Sequence, residues 1–273
     1  MSLPVLTPAL ARRIDGVIVA QGVDQMRWVR ALPGNPLGVQ IQTFGPATAY
    51  LVQSAGNGWW NRVGGLDTED EATLDAIIAF YRDHGVEPNI DLDPSRFTTA
   101  LNRRLAARGL TLDHVDTVLY GTPELTTQSS GVSSGEGFVI HKVGKDQVDL
   151  VTRLWADGFQ VPAASREFMM TIRRGSFESL ANHLYVAYVD GRPAAMSALL
   201  VQDGIGYLNV GATLPQYRRL GIHRAMSERR VQDARDWGCE LLIGFVAGFG
   251  KTSQNNMERR GLRVAYNRMS WTV

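Results

Sequence analysis

The segment from Thr213 to His223, TLPQYRRLGIH, carries the clearest chemistry in the sequence. Pro215 ends a strand-like run, and a turn containing Gly221 then opens a long helix. The first backbone N–H groups of a helix have no partner within it, and the helix dipole makes that end positive. Gly221 has no Cβ, so a phosphate can approach its backbone, and Arg218 and Arg219 add positive charge. The pattern favours a diphosphate site, although an ordinary helix start on a solvated basic face has the same composition.

Composition argues against several other kinds of chemistry. The chain has 273 residues, of which 44% are hydrophobic and 20% charged, and its net charge is +1. This is ordinary globular composition and indicates neither a nucleic-acid-binding nor a membrane-binding protein. The five histidines and the single cysteine, Cys239, form no metal-binding motif, so no metal site is expected. Because no apolar stretch could span a bilayer and the N-terminus does not resemble a signal peptide, a cytoplasmic location is expected.

The chain divides near its middle. Residues 121–137, GTPELTTQSSGVSSGEG, have the composition of a linker between two halves. Residues 1–136 carry 10 Lys and Arg against 15 Asp and Glu, a net charge of −5, and residues 137–273 carry 18 against 12, a net charge of +6. This asymmetry suits two unrelated solvated surfaces, an anionic ligand on the second half, or electrostatic docking of the halves.

The second half alternates strands and helices. The hydrophobic periodicity predicts strands that surround a helix capped by Asp146, and Asp190-Gly191 is typical of a hairpin turn. Six arginines lie between residues 218 and 235, and four of them fall within the predicted helix 220–237, which is therefore basic. The predicted strands are 138–143, the two arms of the hairpin, 206–213, 241–246 and 262–271, and the further helices are 166–173, 220–237 and 253–260.

The segment from Thr213 to His223 resembles motif A of the GNAT superfamily of acyl-CoA-dependent N-acyltransferases. The motif is Q/R-x-x-G-x-G/A, and here it reads Arg218-x-x-Gly221-x-His223, with His223 where Gly or Ala is usual. The element order over 138–273 is similar to that of the family, and the tail GKTSQNNMERRGL looks like its motif B. The resemblance implies a mixed α+β or α/β fold, with a GNAT-like central sheet flanked by helices.

The resemblance also implies acetyl-CoA as co-substrate. In the family, the pantetheine arm pairs with exposed strand backbone, here near Gly211 and Thr213, and the turn amides hold the diphosphate. Ser253, at the start of the last helix, is implied near the pantetheine or the acyl group. The implied cofactor-binding residues are Gly211, Thr213, Arg218, Arg219, Leu220, Gly221, Ile222, His223 and Ser253.

No catalytic residue is assigned. An alkyl amine is largely protonated at neutral pH, so a base must take its proton, and the family often uses a Glu on the strand before motif A. Here that strand offers only Tyr207 and Asn209, and Met257 stands where the family often has an acidic Tyr. A thiolate leaves tolerably without an acid because its ordinary pKa is only about 8.5. The remaining candidates for a base are Glu258, Tyr217, Tyr266 and His183.

The first half resembles a degenerate second GNAT copy without a cofactor turn, so a tandem arrangement is expected. We therefore predict a degenerate domain at 1–120, a linker at 121–137 and an acetyl-CoA-binding domain at 138–273. Within the first half, the patterns predict strands at 39–44, 49–53 and 113–120, a helix whose capping box is Thr68 and Glu71, and a helix from about Ser95.

Three functions are compatible with these patterns. The leading hypothesis is an N-acetyltransferase that acts on a small-molecule or peptide amine by direct attack, with a homodimer as one option. The missing Glu and Tyr, together with His223, favour a non-catalytic acyl-CoA-binding or sensor protein instead. The third hypothesis is an interaction module that retains only the fold.

Overall fold

The computed structural model describes residues 3–67, 70–124, 137–248 and 252–273, and its fold is mixed α+β. The helices are α1 Pro8–Arg30, α2 Glu71–Arg82, α3 Thr99–Ala107, α4 Val148–Gly158, α5 Ala163–Glu178, α6 Ile222–Asp236 and α7 Thr252–Glu258. The strands are β1 Val39–Phe44, β2 Ala47–Val52, β3 Arg62–Gly64, β4 Asn89–Leu92, β5 Thr111–Gly121, β6 Phe138–Val143, β7 Asn182–Val189, β8 Arg192–Gln202, β9 Ile205–Tyr207, β10 Gly211–Thr213, β11 Leu241–Val246 and β12 Arg263–Thr272.

The described residues form two compact units. The N-terminal unit contains Val5–Val118, a short piece that begins at Val246, and Val264–Val273. The C-terminal unit contains Leu119–Phe245 and Thr252–Arg263, with a short piece that ends at Pro4. No helix in the described part of the chain is long and apolar enough to cross a membrane. No group of His, Cys, Asp and Glu in the same residues is arranged to hold a metal ion.

The N-terminal unit has a mixed sheet with the strand order β1-β2-β3-β4-β12-β5. β1 and β2 form an antiparallel hairpin, whereas β3 and β4 are parallel. The apolar positions of α2, Leu74, Ile77 and Tyr81, are buried in the unit's core because they recur at helical spacing. The predicted helices and strands of this half are therefore confirmed in kind.

Some boundaries in the N-terminal half differ from the prediction. The N-cap of α2 is Asp70, whose side chain accepts from the Thr73 N–H at 2.9 Å, and the expected cap Thr68 lies outside the described residues. α3 begins at Thr99, later than expected, because the Thr98 hydroxyl accepts from the Leu101 N–H at 3.0 Å.

A charged network lies inside the N-terminal unit. The Arg268 guanidinium donates to Asp15 at 2.8 Å and to Asp91 at 3.0 Å, and Arg62 donates to Asp91 at 2.6 and 2.7 Å. Arg96 also donates to Asp15, at 3.2 Å. Burial acts to raise the pKa of Asp91, but the two arginines outweigh it and hold that pKa below its ordinary value.

The last strand joins the N-terminal unit rather than the half that contains motif A. β12 pairs antiparallel with β4, Met269 opposite Leu92, and Trp271 packs into the core of the N-terminal unit. The predicted division into 1–120 and 138–273 therefore does not coincide with the compact units at this strand. Residues 125–136 of the predicted linker lie outside the described residues.

The C-terminal unit has a sheet with the strand order β11-β9-β8-β7-β6, and β10 pairs with β8 beside this path. β7 and β8 form the hairpin expected at Asp190-Gly191. Leu184 and Val186 of β7 pack with α4 and α5 on one face, and Tyr185 between them donates to Asp233 of α6 at 2.7 Å on the other. Helices thus flank both faces of this mixed sheet, as predicted.

Two helices of this unit also depart from their predicted bounds. Asp146 lies in a short 3-10 turn, and α4 begins after it at Val148 without a side-chain cap. α5 spans 16 residues instead of the predicted eight at 166–173. Its C-terminal end is stabilised by Lys145, whose Nζ donates to the carbonyls of Phe177, Ser179 and Asn182 at 2.6–2.8 Å.

Replacing Lys145 with Met is expected to lower the free energy of unfolding by about 2–3 kcal/mol, because charge-assisted bonds to three carbonyls are lost. The matched control is Lys142→Met. Lys142 Nζ lies 4.2 Å from the centre of the Trp237 ring, a surface contact worth about 1 kcal/mol or less. Urea denaturation of both variants measures the difference, and equal losses would contradict this role of Lys145.

Candidate functional site

The strand predicted at 206–213 is interrupted. β9 ends at Tyr207 and β10 begins at Gly211. On β8, Leu200 pairs with Tyr207 and Ser197 pairs with Gly211, so three residues on one strand face two on the other. This is a β-bulge, and it bends the strand away from its earlier direction. The prediction of one continuous strand was wrong at residues 208–210, because the bulge depends on the pairing with β8, which a local pattern does not report.

The bulge leaves one edge of β10 open. β11 pairs with β9, whereas β10 pairs only with β8 among the described residues. The N–H groups of Ala198 and Leu214 bond across to the carbonyls of Val210 and Ala194. Because backbone groups alternate in direction along a strand, those of Gly211 and Thr213 point to the open edge.

The turn that follows β10 leads into an uncapped helix. Arg219 has φ +68° and Gly221 has φ +78°. Gly221 is the N-cap of α6, and among the described residues no side chain caps this end of the helix. The first helical bond runs from the Ala225 N–H to the Gly221 carbonyl, so the N–H groups of residues 222–224 precede the helical ladder. A Cβ on Gly221 would meet no protein atom within 4 Å. The space over this turn is therefore open to an anion.

The open edge and the turn border one cavity of about 950 Å³ within the C-terminal unit. Seven of the nine predicted cofactor-binding residues line it: Gly211, Thr213, Arg218, Arg219, Gly221, Ile222 and His223. Leu220 and Ser253 are exposed and lie outside this lining, whereas Thr252 and Asn256 of α7 are part of it. The Thr213 Oγ1 is buried and has no hydrogen-bond partner among the described residues. A ligand in the cavity could supply that partner.

The cavity is strongly positive. Five arginines line it against one carboxylate, Glu228, and they are Arg218, Arg219, Arg224, Arg259 and Arg260. Glu228 accepts from Arg224 at 2.8 Å and lies 3.9 Å from Arg260, so its charge is already engaged. An anionic ligand would therefore meet excess positive charge. The sequence prediction did not include Arg259, Arg260, Thr252 or Asn256, although the recurrence of 252, 256 and 259–260 at helical spacing is a signal that could have found them.

Arg218 lines the cavity and also bonds to the surrounding backbone. Its guanidinium donates to the Gly158 carbonyl at 2.8 Å and to the Thr213 carbonyl at 3.3 Å. It therefore ties the end of α4 to the open edge of β10. A Cβ on Gly158 would lie 2.8 Å from the Ala212 Cβ, so only glycine allows this approach.

His223 faces the same cavity. Its Nε2 lies 3.7 Å from the position that a Cβ on Gly211 would take. The ring is open to the cavity, but the surrounding protein desolvates its charged form, and Arg230 and Arg260 repel a proton there. These effects lower the pKa of His223 to about 4, so the ring is neutral at pH 7.

Replacing His223 with Asn is expected to flatten the pH dependence of stability between pH 4 and 6.5. The unfolded chain binds the His223 proton near the ordinary pKa of 6.5, whereas the folded state resists it. Stability linked to the neutral ring is therefore present above pH 6.5 and is lost as the pH falls toward 4. Water in the cavity screens the effect, so we expect a change of only a few degrees in Tm.

Thermal unfolding of this variant and the parent across that pH window provides the measurement. The control is His141→Asn, on the exposed outer strand β6. Parallel curves for His223→Asn and the parent would contradict the lowered pKa.

Of the four candidates for a catalytic base, Tyr217 is the one that lines the described cavity. His183 packs against Trp237 with the ring planes tilted and the ring centroids 4.3 Å apart, and Tyr266 is buried in the N-terminal unit. Glu258 accepts from Gln254 at 3.1 Å. The other three candidates therefore make contacts elsewhere in the protein and do not line this cavity.

Asn209, a polar residue of the strand predicted before motif A, and Met257, which stands where the family often has a Tyr, both contact other parts of the protein. Asn209 lies in the bulge, where its Nδ2 is 3.4 Å from the Ser176 Oγ. Met257 packs against Gly244 of β11 so closely that a Cβ on Gly244 would collide with its sulfur. Neither side chain is an acid or a base.

Comparison with known proteins identifies the kind of domain that carries this cavity. Residues 137–247 match the family model described as Acetyltransferase (GNAT) domain. No curated protein matches the chain. Among solved structures, a GCN5-related N-acetyltransferase from Kribbella flavida has a TM-score of 0.64 at 17% identity, with 96% of this chain and 95% of that chain covered.

Two further structures share the fold at low identity. A tandem GNAT protein from the clavulanic acid biosynthesis pathway has a TM-score of 0.65 at 14% identity, with 95% of both chains covered. A GCN5-related N-acetyltransferase from Sphaerobacter thermophilus has a TM-score of 0.57 at 14% identity, with 99% of this chain and 94% of that chain covered. The predicted GNAT fold in a tandem arrangement is therefore confirmed.

Proposed function

We propose that this chain, whose residues 137–247 form a GNAT acetyltransferase domain, moves an acetyl group from acetyl-CoA to a primary amine of a small molecule, peptide or protein. The match to this domain supports acyltransferase activity in general. We propose in addition that the donor is acetyl-CoA, that the acceptor is an amine and that the protein is cytoplasmic. One observation carries it: the open edge of β10 and the uncapped start of α6 border the same positive cavity. An acyl-CoA needs both, because its diphosphate is anionic and its pantetheine arm contains amides.

The residues of the cavity fit such a ligand. The N–H groups before the α6 ladder and the arginines around them would hold the diphosphate. The open backbone groups of Gly211 and Thr213 would pair with the pantetheine amides, and the buried Thr213 Oγ1 would gain a partner. Arg218 would keep this edge in place through its bond to the Thr213 carbonyl.

The chemistry needs little from side chains. The amine nitrogen attacks the thioester carbonyl carbon, the C–N bond forms, and the C–S bond breaks to release the thiolate. The proton lost by the amine passes to water or to a side chain, and the thiolate takes up a proton from solvent. Holding the two reactants together removes much of the entropic barrier, and a β10 N–H could stabilise the negative charge on the oxygen. Loss of one proton-transfer group typically lowers the rate by about 10²–10⁴, so a site without Glu and Tyr can still be active.

The second candidate is a non-catalytic acyl-CoA-binding or sensor protein. It is favoured by Met257, which fills the space over Gly244 with an apolar side chain, and by Asn209, which is no base. This candidate and an enzyme have the same cavity, so only turnover separates them.

The decisive experiment is thermal unfolding with acetyl-CoA, followed by an assay of thiol release with a panel of amines. At about 100 times the dissociation constant, the ligand stabilises by about 2.7 kcal/mol, which raises Tm by roughly 5–10 °C. Adenosine diphosphate is the control ligand and should shift Tm less. The thiol assay suits this protein because its one cysteine, Cys239, is buried.

Each outcome has a clear meaning. A shift with acetyl-CoA and thiol release with any amine support the transferase. A shift without release by any amine supports the sensor. Absence of a shift at millimolar acetyl-CoA would overturn both, because both require the acyl-CoA site. Light scattering in the same samples would report whether the chain forms a homodimer.

A further inference from the structure

Arg230 is a buried cation behind the wall of the cavity. It lies on α6, and only 4% of its surface is exposed. Its Nη1 donates to the carbonyls of Ala198 at 3.0 Å and Val210 at 3.3 Å, and its Nε to that of Met226 at 3.4 Å. It has no carboxylate within 4 Å among the described residues.

These contacts place the guanidinium on the bulge. The Ala198 N–H donates to the Val210 carbonyl at 2.8 Å, and in a regular antiparallel ladder the Val210 N–H would donate back to the Ala198 carbonyl. Val210 lies outside β10, and the Ala198 carbonyl accepts from Arg230 instead. The side chain thus supplies the donor that the irregular strand lacks.

The guanidinium also lies directly beneath the open edge. Its Nη2 is 3.6 Å from the position that a Cβ on Gly211 would take, and the His223 Nε2 approaches the same point to 3.7 Å. Gly211 and Thr213 lie one and three residues after Val210, whose carbonyl accepts from Arg230. Any rotation of the chain at Val210 would therefore redirect the backbone groups that face the cavity.

Stability alone gives no reason for a charge at this place. Burying a cation without a carboxylate carries a solvation penalty, and an apolar side chain of similar length would avoid it. Burial, offset in part by Tyr185 and reinforced by Arg260, lowers the pKa of Arg230 to about 10, so the group is still charged at pH 7. A charged donor fixed on two carbonyls suits the holding of a particular backbone shape.

We propose that Arg230 is a positioning residue, which fixes the bulge at 208–210 and thereby aims the backbone of Gly211 and Thr213 at the pantetheine arm of an acyl-CoA. The identity of the ligand in this inference rests on the proposed function. The role of Arg230 in fixing the backbone rests only on its contacts with the bulge. It assigns to Arg230 a role separate from that of the turn, which would hold the diphosphate.

The test compares two ligands in three variants. Coenzyme A reaches both the turn and the open edge, whereas adenosine 3′-phosphate 5′-diphosphate keeps the diphosphate and lacks the pantetheine arm. In Arg230→Met we expect the affinity for coenzyme A to fall at least about 10-fold, and that for the ligand without the arm less than about 3-fold. Arg230→Lys keeps the charge, but its side chain ends one bond short of the Nη1 position that contacts both carbonyls, so we expect it to resemble Arg230→Met. Arg229→Met, one residue away and bonded to Asp233 at 2.8 Å, is the matched control and should bind like the parent.

Hydrogen exchange in the ligand-free protein provides a second readout. Amides of residues 208–213 should exchange faster in Arg230→Met and Arg230→Lys than in the parent and in Arg229→Met. If Arg230→Met does not fold, Arg230→Lys carries both measurements.

The outcomes separate the inference from the proposed function. Unchanged exchange, equal losses for both ligands, or full coenzyme A binding by Arg230→Lys would each overturn the positioning role. If the parent protein bound no coenzyme A, the proposed function would be overturned. If the Arg230 variants still showed faster exchange over residues 208–213, the role of Arg230 in fixing the bulge would remain supported.

Discussion

Replacing Gly221 with Asp is expected to weaken acetyl-CoA binding about 100-fold or more, a loss of about 2.7 kcal/mol. Gly221 has φ +78° at the start of α6, and the space over it lies within the positive cavity. A carboxylate there would occupy the place of the diphosphate and repel it, and it would itself accept from the free helical N–H groups. The variant should still fold, since Asp tolerates this backbone region at a cost of about 1 kcal/mol.

The control for this variant is Gly191→Asp. Gly191 has φ +73°, has equally open space around it, and lies in the β7–β8 turn outside the cavity lining. Calorimetric titration with acetyl-CoA gives the affinities, and we expect the control to bind like the parent. Parent-like binding by Gly221→Asp would show that the turn does not hold the phosphates.

Replacing Arg268 with Leu is expected to lower the free energy of unfolding by about 3–5 kcal/mol. Arg268 is buried in the N-terminal unit, where it donates to both Asp15 and Asp91. Its removal leaves two buried carboxylates with one charged partner fewer. The loss comes from their uncompensated charge rather than from the ion pairs' net stabilisation.

Differential scanning calorimetry of Arg268→Leu is best compared with Arg27→Leu on α1 of the same unit. Arg27 pairs with Asp24 at 3.0 Å, but 68% of its side chain is exposed, so we expect that pair to contribute about 1 kcal/mol or less. An Arg268→Leu variant as stable as Arg27→Leu would mean that the network is dispensable.

The local parts of the site could be predicted from the sequence. Arg218, Gly221 and His223 are close in the chain, so their spacing alone indicates the turn, and Gly211 and Thr213 precede it on a recognisable strand. The bulge could not be predicted, because it depends on the register between two strands, and its contact with Arg230 reaches the carbonyl of Ala198, 32 positions away. Arg230 is also one of four arginines on α6, and nothing in the sequence pattern distinguishes a buried arginine from a solvated one there.

Long-range pairing limited the prediction of the fold in the same way. The residues of β12 read correctly as a strand, but the strand's partner is β4, and Met269 lies opposite Leu92. Periodicity reports which side of a strand is apolar and not which sheet receives it. The resemblance to a family predicts the order of elements, whereas the place of β12 in the N-terminal unit depends on its pairing with a strand more than 170 positions earlier in the chain, Met269 opposite Leu92.

The position of β12 has a consequence for synthesis of the chain on the ribosome. Domains generally fold as they emerge, the N-terminal one first. Here β6 to β11 are all translated before β12. The sheet of the C-terminal unit can therefore form while β4 is paired only with β3 and its other edge, where β12 belongs, is still open. Until β12 arrives, the N-terminal unit has an unpaired strand edge and a core without Trp271. The unit that is encoded first is therefore the one that is completed last.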